Sequence, residues 1–367
     1  MRLQHIALTL ATLCLVASTA PARTLNAEIP QWTPYAEWTL LNPSHEGNPH
    51  DLLATATFTH EPTGTVITTP MFHEGGSKWK LRFTGTIPGL WNLTTSSEDP
   101  DLEGHTGAIN VQPNPKAHGF ITTANGKWAR HKGIDQIEAF LPQFVMYAHP
   151  GEFYNNPQML DQAIKTFIQD HGFTGFHVPV YCRWFDINQE RSDQINAPNP
   201  DPRTFEALET LITKLHAAGG AVHLWAWGDD QRKQTPIRWS INGEADQRLQ
   251  RYIAARLGPL PGWTMGYGFD LDEWVKEDQI AAITCINTWA GPTCSAAATA
   301  TPTKDSTMPW PVPGTNASTT PATNTTAPPT MYTSPPARPS PRSPSSPKTA
   351  SEYVNPTGTA PRTTTKK

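Results

Sequence analysis

"GFHVPVYCRWFD" (residues 175–186) opens as a continuous apolar run and closes in charge, and the same form returns in "AVHLWAWGDD" (221–230) and "WTMGYGFDLDEW" (263–274). Apolar runs of this length bounded by polar turns read as strands buried on both faces. Amphipathic stretches lie beside and between them: "NPQMLDQAIKTFIQDH", "PRTFEALETLITKLHAAGG" and "NGEADQRLQRYIAARLG". The first puts Met159, Ala163, Ile164 and Phe167 on one stripe, and the second Phe205, Leu208, Leu211, Ile212 and Leu215. "HAAGG" ends the second helix on glycine, the residue that tolerates a left-handed cap. Strand alternating with helix is the grammar of a parallel sheet covered by helices, whose commonest enzyme form at this size is a TIM barrel. The first strand is the least defined, and "HKGIDQIEAF" (131–140), running into a loop near 144–150, is the expected one.

In such a barrel the chemistry sits where strands end. The three runs end in Arg183, Trp184 and Asp186; in Trp225, Trp227, Asp229 and Asp230; and in Asp270, Asp272 and Glu273. Carboxylates among tryptophans suit sugars, because flat apolar rings match the C–H faces of a pyranose while carboxylates serve its hydroxyls or the scissile oxygen. Asp270, Glu273 and Asp272 are the candidate catalytic groups, and the residues ending the first two runs are the candidate substrate contacts. Glycoside hydrolysis needs two carboxyl groups, about 5 to 5.5 Å apart for retention and about 6.5 to 9.5 Å apart for inversion. Each feature also has a structural reading. Asp272 and Glu273 suit a first helical turn, where acids favour the dipole. His177 and His223 suit a core with satisfied hydrogen bonds. Trp225 and Trp227 share a strand face, where barrel packing explains one ring as readily as stacking on a ligand.

Upstream, the period changes. "EWTL", "LLATATFTH", "TVITTPMFH", "KWKLRFT", "GLWNLTTSS" and "GAINVQP" are short β-rich runs between turn signals, the spacing of a β-sandwich over residues 30–113. In "KWKLRF", Trp79, Leu81 and Phe83 alternate with Lys78, Lys80 and Arg82, which sends one set to a core and the other to solvent. Trp32, Trp38, Trp79 and Trp91 are expected to pack rather than to stack on sugars. Before the sandwich, Arg2, the apolar run from Ile6 to Val16 and Ala20-Pro21-Ala22 have the order of a signal peptide, over residues 1–22. Leu13 ahead of Cys14 argues against a lipoprotein anchor. The expected location is therefore secreted or periplasmic, with no stable membrane anchor.

Of 367 residues, 37% are hydrophobic and 37 are proline, and the proline is concentrated at one end. Residues 296–367 are Pro, Thr, Ser and Ala with few large apolar side chains, a composition that cannot offset the entropy of ordering. Cys182, Cys285 and Cys294 form no disulfide framework and no zinc spacing, and Cys182 reads as a buried structural thiol. The net charge of −4 has no basic block behind it, so nucleic acid is not an expected partner. No phosphate loop or metal-ligand cluster suggests a cofactor.

The runs "GFHVPVYCRWFDIN", "GGAVHLWAWGDD" and "TPIRWSINGEADQRLQRYIAARLGPLPGWTMGYGFDLDEW", with "MFHEGGSKWKLRFTGTIPGLWNLTTSS" before them, resemble secreted bacterial proteins that join an Ig-like domain of unknown function (family 5060) to a glycoside-hydrolase-like TIM barrel. The resemblance covers roughly residues 30–282. It implies an acid/base after the fourth strand, near Asp270 to Glu273, and a nucleophile after the seventh. The usual Asn-Glu pair is absent at the former position. Strand and helix stop alternating after Ile280, so residues 118–290 correspond to the first half of a barrel. Two readings account for this: a native half-barrel carrying a mucin-like or linker tail, or, the favoured expectation, a shift of reading frame near Ala282. Read one base earlier, "ITCINTWAGPTCSAAA" (283–298) admits codons for an amphipathic helix leading into an apolar strand.

The expectation is an exported, multidomain, carbohydrate-active protein of glycoside hydrolase type, acting on a polysaccharide or oligosaccharide and with little or no turnover in this form. The alternative is a non-catalytic glycan-binding or cell-surface protein. A third, purely structural role for the sandwich predicts no glycan binding at all.

Overall fold

The computed structural model describes residues 22–276, apart from 147–153, 197, 230, 232, 269 and 270. Contacts divide the chain into Met1–Ala317 and Ser318–Lys367, and everything described belongs to the first unit. The segments read as signal peptide, shifted frame and Pro/Thr/Ser-rich tail lie outside the described residues, save for Ala22.

Eight strands form the sandwich. One sheet has β1 (Ala27–Pro30), β8 (Thr106–Gln112), β7 (Gly89–Ser97), β3 (Ala54–His60) and β4 (Val66–Pro70), in the order β1-β8-β7-β3-β4. The other has β2 (Ala36–Leu41), β6 (Lys78–Phe83) and β5 (Phe72–Gly75), in the order β2-β6-β5. Along β3 alternate residues are buried, sending Ala54, Ala56 and Phe58 inward. Phe58 stacks on Phe83 at a centroid distance of 4.3 Å, and Trp91, Leu93, Ile109 and Val111 complete the layer between the sheets. Trp79, Leu81 and Phe83 are buried as their alternation predicts. Arg82 differs: it is 2% exposed, because the outer face of β6 is covered by helices rather than water. Glu37 and Glu209 compensate its charge at 2.8 Å each. Trp32 and Trp91 are buried, with indole N–H groups donated to the carbonyls of Gly133 and Ile87.

A three-stranded antiparallel meander follows: β9 (His118–Ala124), β10 (Lys127–Lys132) and β11 (Gln136–Ala139). The β9–β10 turn is Asn125-Gly126, with φ of 52° and 70°, the two positive values that a tight hairpin requires. The run 131–140 therefore belongs to this meander and not to the parallel sheet. Its first two residues end β10 and its residues 136–139 form β11, which pairs back on β10, so the stretch spans the turn of a hairpin.

The parallel sheet starts instead at β12 (Phe144–Met146) and continues through β13 (Gly175–Pro179), β14 (Ala221–Trp227) and β15 (Trp263–Gly268), neighbours in sequence order. Helix α1 (Gln158–Ala163, prolonged by π-helical turns over Ile164–Asp170), α2 (Pro202–Ala217) and α3 (Glu244–Arg256) lie between successive strands. Phe176 and Val178 of β13 and Val222, Leu224 and Ala226 of β14 join a core with Phe205, Leu208, Leu211, Ile212 and Leu215 of α2. Each of these side chains other than that of Ala226 contributes about 1.5–3 kcal/mol by leaving water. In α1 the buried pair is Leu160 and Ile164, four apart, whereas Met159 is 39% exposed. Asp201 caps α2 by accepting from the Arg203 N–H at 3.0 Å, with Pro202 following it.

Candidate functional site

The two ends of the parallel sheet differ. The meander closes the N-terminal end, where Ile121, Phe140 and Ala221 cluster and Arg130 donates to the carbonyl of Gly219 at 2.9 Å. The polar loops that follow β13, β14 and β15 stand at the other end.

After β13 the chain turns at Tyr181, a non-glycine residue at φ 57°, into a 3-10 turn over Tyr181–Trp184. That turn drives Arg183 and Trp184 inward. Trp184 is fully buried against Phe205, and its indole donates to the carbonyl of Ala226 at 2.9 Å. It fastens the loop to β14 and offers no face to a ligand. The Arg183 guanidinium lies 5.5 Å over the Tyr154 ring and donates through Nη2 to Glu190, while its buried Nε and Nη1 find no partner among the described residues. Asp186 is more open; it accepts from the Asn188 N–H at 3.0 Å and faces Arg203 at 3.4 Å. Asp201 holds the same loop through the Ile187 N–H at 2.9 Å. Burial raises the Asp201 carboxyl, but hydrogen bonds from Arg203 and the backbone outweigh it and leave the group below its ordinary value. Cys182 is buried, and burial pushes its thiol up to about 12, so it is inert at neutral pH, as a structural thiol should be.

On the sheet face away from the helices, the side chains alternating with that core come together. Half-buried Trp225 donates its indole N–H to Nδ1 of His177 at 2.9 Å, which fixes the proton of that imidazole on Nε2. His223 lies 4.8 Å from His177 between ring centroids, bonds Thr264 through Nδ1 at 2.8 Å, and stacks on Phe144. Its Nε2 is buried without a partner among the described residues. Burial lowers both histidines, His223 to about 3, so both rings are neutral at pH 7. Trp227 is only 1% exposed, packed near Phe185 and Trp239. Trp225 is thus the less buried tryptophan of this pair. Asp229, after β14, is 8% exposed.

After β15 a one-turn helix spans Leu271–Trp274 and carries Glu273 exposed to solvent. Asp270, Asp230 and the side chain of Asp272 lie outside the described residues. Sequence reasoning missed a buried carboxyl behind this strand. Asp246, 1% exposed, accepts from the Tyr267 hydroxyl at 2.9 Å and the Asn242 N–H at 3.0 Å, and burial raises it. In sequence it reads as an ordinary first-turn acid of α3, and nothing local marks it. Among the described residues no group of three or more His, Cys, Asp or Glu could hold a metal ion.

The described residues thus form a β-sandwich followed by a parallel sheet whose polar loops gather at one end. Residues 28–98 match the domain of unknown function DUF5060. The structure is similar to that of a candidate glycoside hydrolase from Bacteroides vulgatus, with 19% identity, a TM-score of 0.57, and coverage of 71% of this chain and 53% of that one. The chain therefore spans about half the length of that relative. A Bacteroides ovatus GH5 xyloglucanase in complex with a XXXG heptasaccharide aligns at 10% identity over 71% of this chain and 58% of its own, but its TM-score of 0.22 is too low to bear on the fold. No curated protein matches by sequence.

Proposed function

We propose that this chain is an exported carbohydrate-active protein in which a β-sandwich precedes the first half of a glycosidase-type TIM barrel, and that a glycan lies across the ends of β13, β14 and β15. One observation carries this reading: the loops after three successive parallel strands carry Arg183, Asp186, Asp229 and Glu273 at one end of the sheet, while a meander closes the other. Ligands of such sheets bind at the carboxyl ends of the strands. Trp225 supplies the apolar ring face, and Asp186, Asp229 and Asp230 serve sugar hydroxyls. Asp270, with Glu273 and Asp272, is the candidate acid of the ancestral hydrolysis. Trp184, Trp227 and Arg183 support the loops from within. The frame change near Ala282 belongs to the same proposal, and the nucleotide sequence around codons 280–300 tests it: no barrel remnant in the shifted frame would remove it.

Affinity electrophoresis through gels containing different polysaccharides tests the site. At least one glycan should retard the protein, and Trp225→Ala should release it; free migration through the whole panel would overturn the proposal. In a frame-restored chain, Asp270→Asn with Glu273→Gln should abolish sugar release if the site is hydrolytic. A purely binding site would show retention unchanged by that pair and no release in the parent.

A further inference from the structure

A cavity of about 280 Å³ opens between the sandwich and α3. None of its lining residues belongs to the loops after β13, β14 or β15, so it is separate from the strand-end site. Its walls are mainly apolar, with Leu52, Met71 and Trp79 among them. At about 30 Å³ per water it has room for roughly nine waters, which matches one aromatic ring with a short arm.

Charge enters from α3. Arg248 is already engaged, donating to Asp51 at 2.5 and 2.7 Å and lying 3.5 Å from Glu244. Arg251 donates only to the carbonyl of His50, at 3.2 Å, and has no carboxylate within ion-pair distance among the described residues. Burial lowers its pKa, and the neighbouring Arg248 adds to that against the attraction of Asp51. His50 and His73 meet edge to face at 5.6 Å beside it. Burial lowers His50 to about 4, so that ring is neutral at pH 7 and adds no second cation. A sugar would need donors and acceptors along its walls, and a phosphate would need several donors converging on it. One half-buried guanidinium beside apolar walls suits a flat monoanion.

We propose that this cavity binds a small aromatic monocarboxylate, with its ring against Met71 and Trp79 and its carboxylate on Arg251. Calorimetric titration of the full chain with trans-cinnamate and with cinnamyl alcohol, which keeps the ring and loses the charge, tests it. The acid should bind at least tenfold more tightly than the alcohol, and Arg251→Met should remove that preference without changing the affinity for the alcohol. Thr55→Phe, which fills the cavity from its wall, should weaken both ligands. The proposal fails if cinnamate does not bind, if acid and alcohol bind alike, or if the preference survives in Arg251→Met. Should Arg251→Met not fold, the comparison of the two ligands on the parent and on Thr55→Phe still decides.

Discussion

His223 shows how the surroundings of a histidine inside an apolar strand set its charge. It is fully buried, one nitrogen bonds Thr264, and burial, reinforced by His177, holds its pKa near 3. The sign of the resulting linkage is fixed. The unfolded chain takes up a proton near pH 6.5 and the folded ring does not until about pH 3, so His223 contributes fully above pH 6.5 and its contribution is lost as pH falls. At about 1.4 kcal/mol per pH unit for one proton, the loss between pH 6.5 and 5 is about 2 kcal/mol. His223→Gln keeps a polar side chain and cannot titrate. The difference in unfolding free energy between parent and variant, measured in urea at pH 7 and pH 5, should shrink by that amount. A difference that stays constant would show that the imidazole is not held neutral by its site.

At the scale of elements, α2 ends in a cap that depends on one glycine. Gly219 has φ 85°, the N–H of Gly220 reaches the carbonyl of Leu215 and that of Gly219 the carbonyl of His216, both at 2.9 Å. A Cβ at Gly219 meets no atom within 4 Å, so Gly219→Ala is penalised by backbone conformation alone. It should lower stability by about 1 kcal/mol with an unchanged urea m-value, and a larger loss would point to a packing role. This cap and the apolar stripe of α2 were legible in the sequence because both are local: a period and a glycine. So were β13, β14 and β15, whose apolar runs alternate with amphipathic helices. The first parallel strand was not legible. Residues 136–139 have as much strand character as 144–146, and only pairing with β10 and β13 respectively separates them. The strand-end site divides the same way. Its loops could be placed by topology, but the burial of Trp184 and Trp227 follows from a turn at Tyr181 and from Phe185 and Trp239, which no spacing announces.

At the scale of the molecule, the sandwich and the parallel-sheet half are joined by a buried charge network. Arg82 comes from β6, Glu209 from α2, where its side chain is 12% exposed, and Arg256 from the end of α3. Glu209 accepts from Arg82 at 2.8 and 3.3 Å and from Arg256 at 2.5 and 3.4 Å, and the two arginines are 2% and 1% exposed. Arg82 also donates to the carbonyl of Arg256 at 2.7 Å, and Thr84 to that of Pro259 at 2.5 Å. In "KWKLRF" the arginine occupies the position that alternation assigns to solvent, and burying it there is sustainable only while a carboxylate answers two guanidinium groups. Glu209→Ala leaves Arg82 with Glu37 and Arg256 with the Tyr252 hydroxyl, each too little for a charge removed from water. The expected cost is about 3–5 kcal/mol, localised at the junction. Because the sandwich retains its own core of Phe58, Phe83 and Trp91, the variant should unfold in two thermal steps where the parent unfolds in one, with the helical far-UV signal lost in the earlier step. A single transition at the parental temperature would mean that apolar contacts such as Phe72 against Tyr252 hold the halves together without the network.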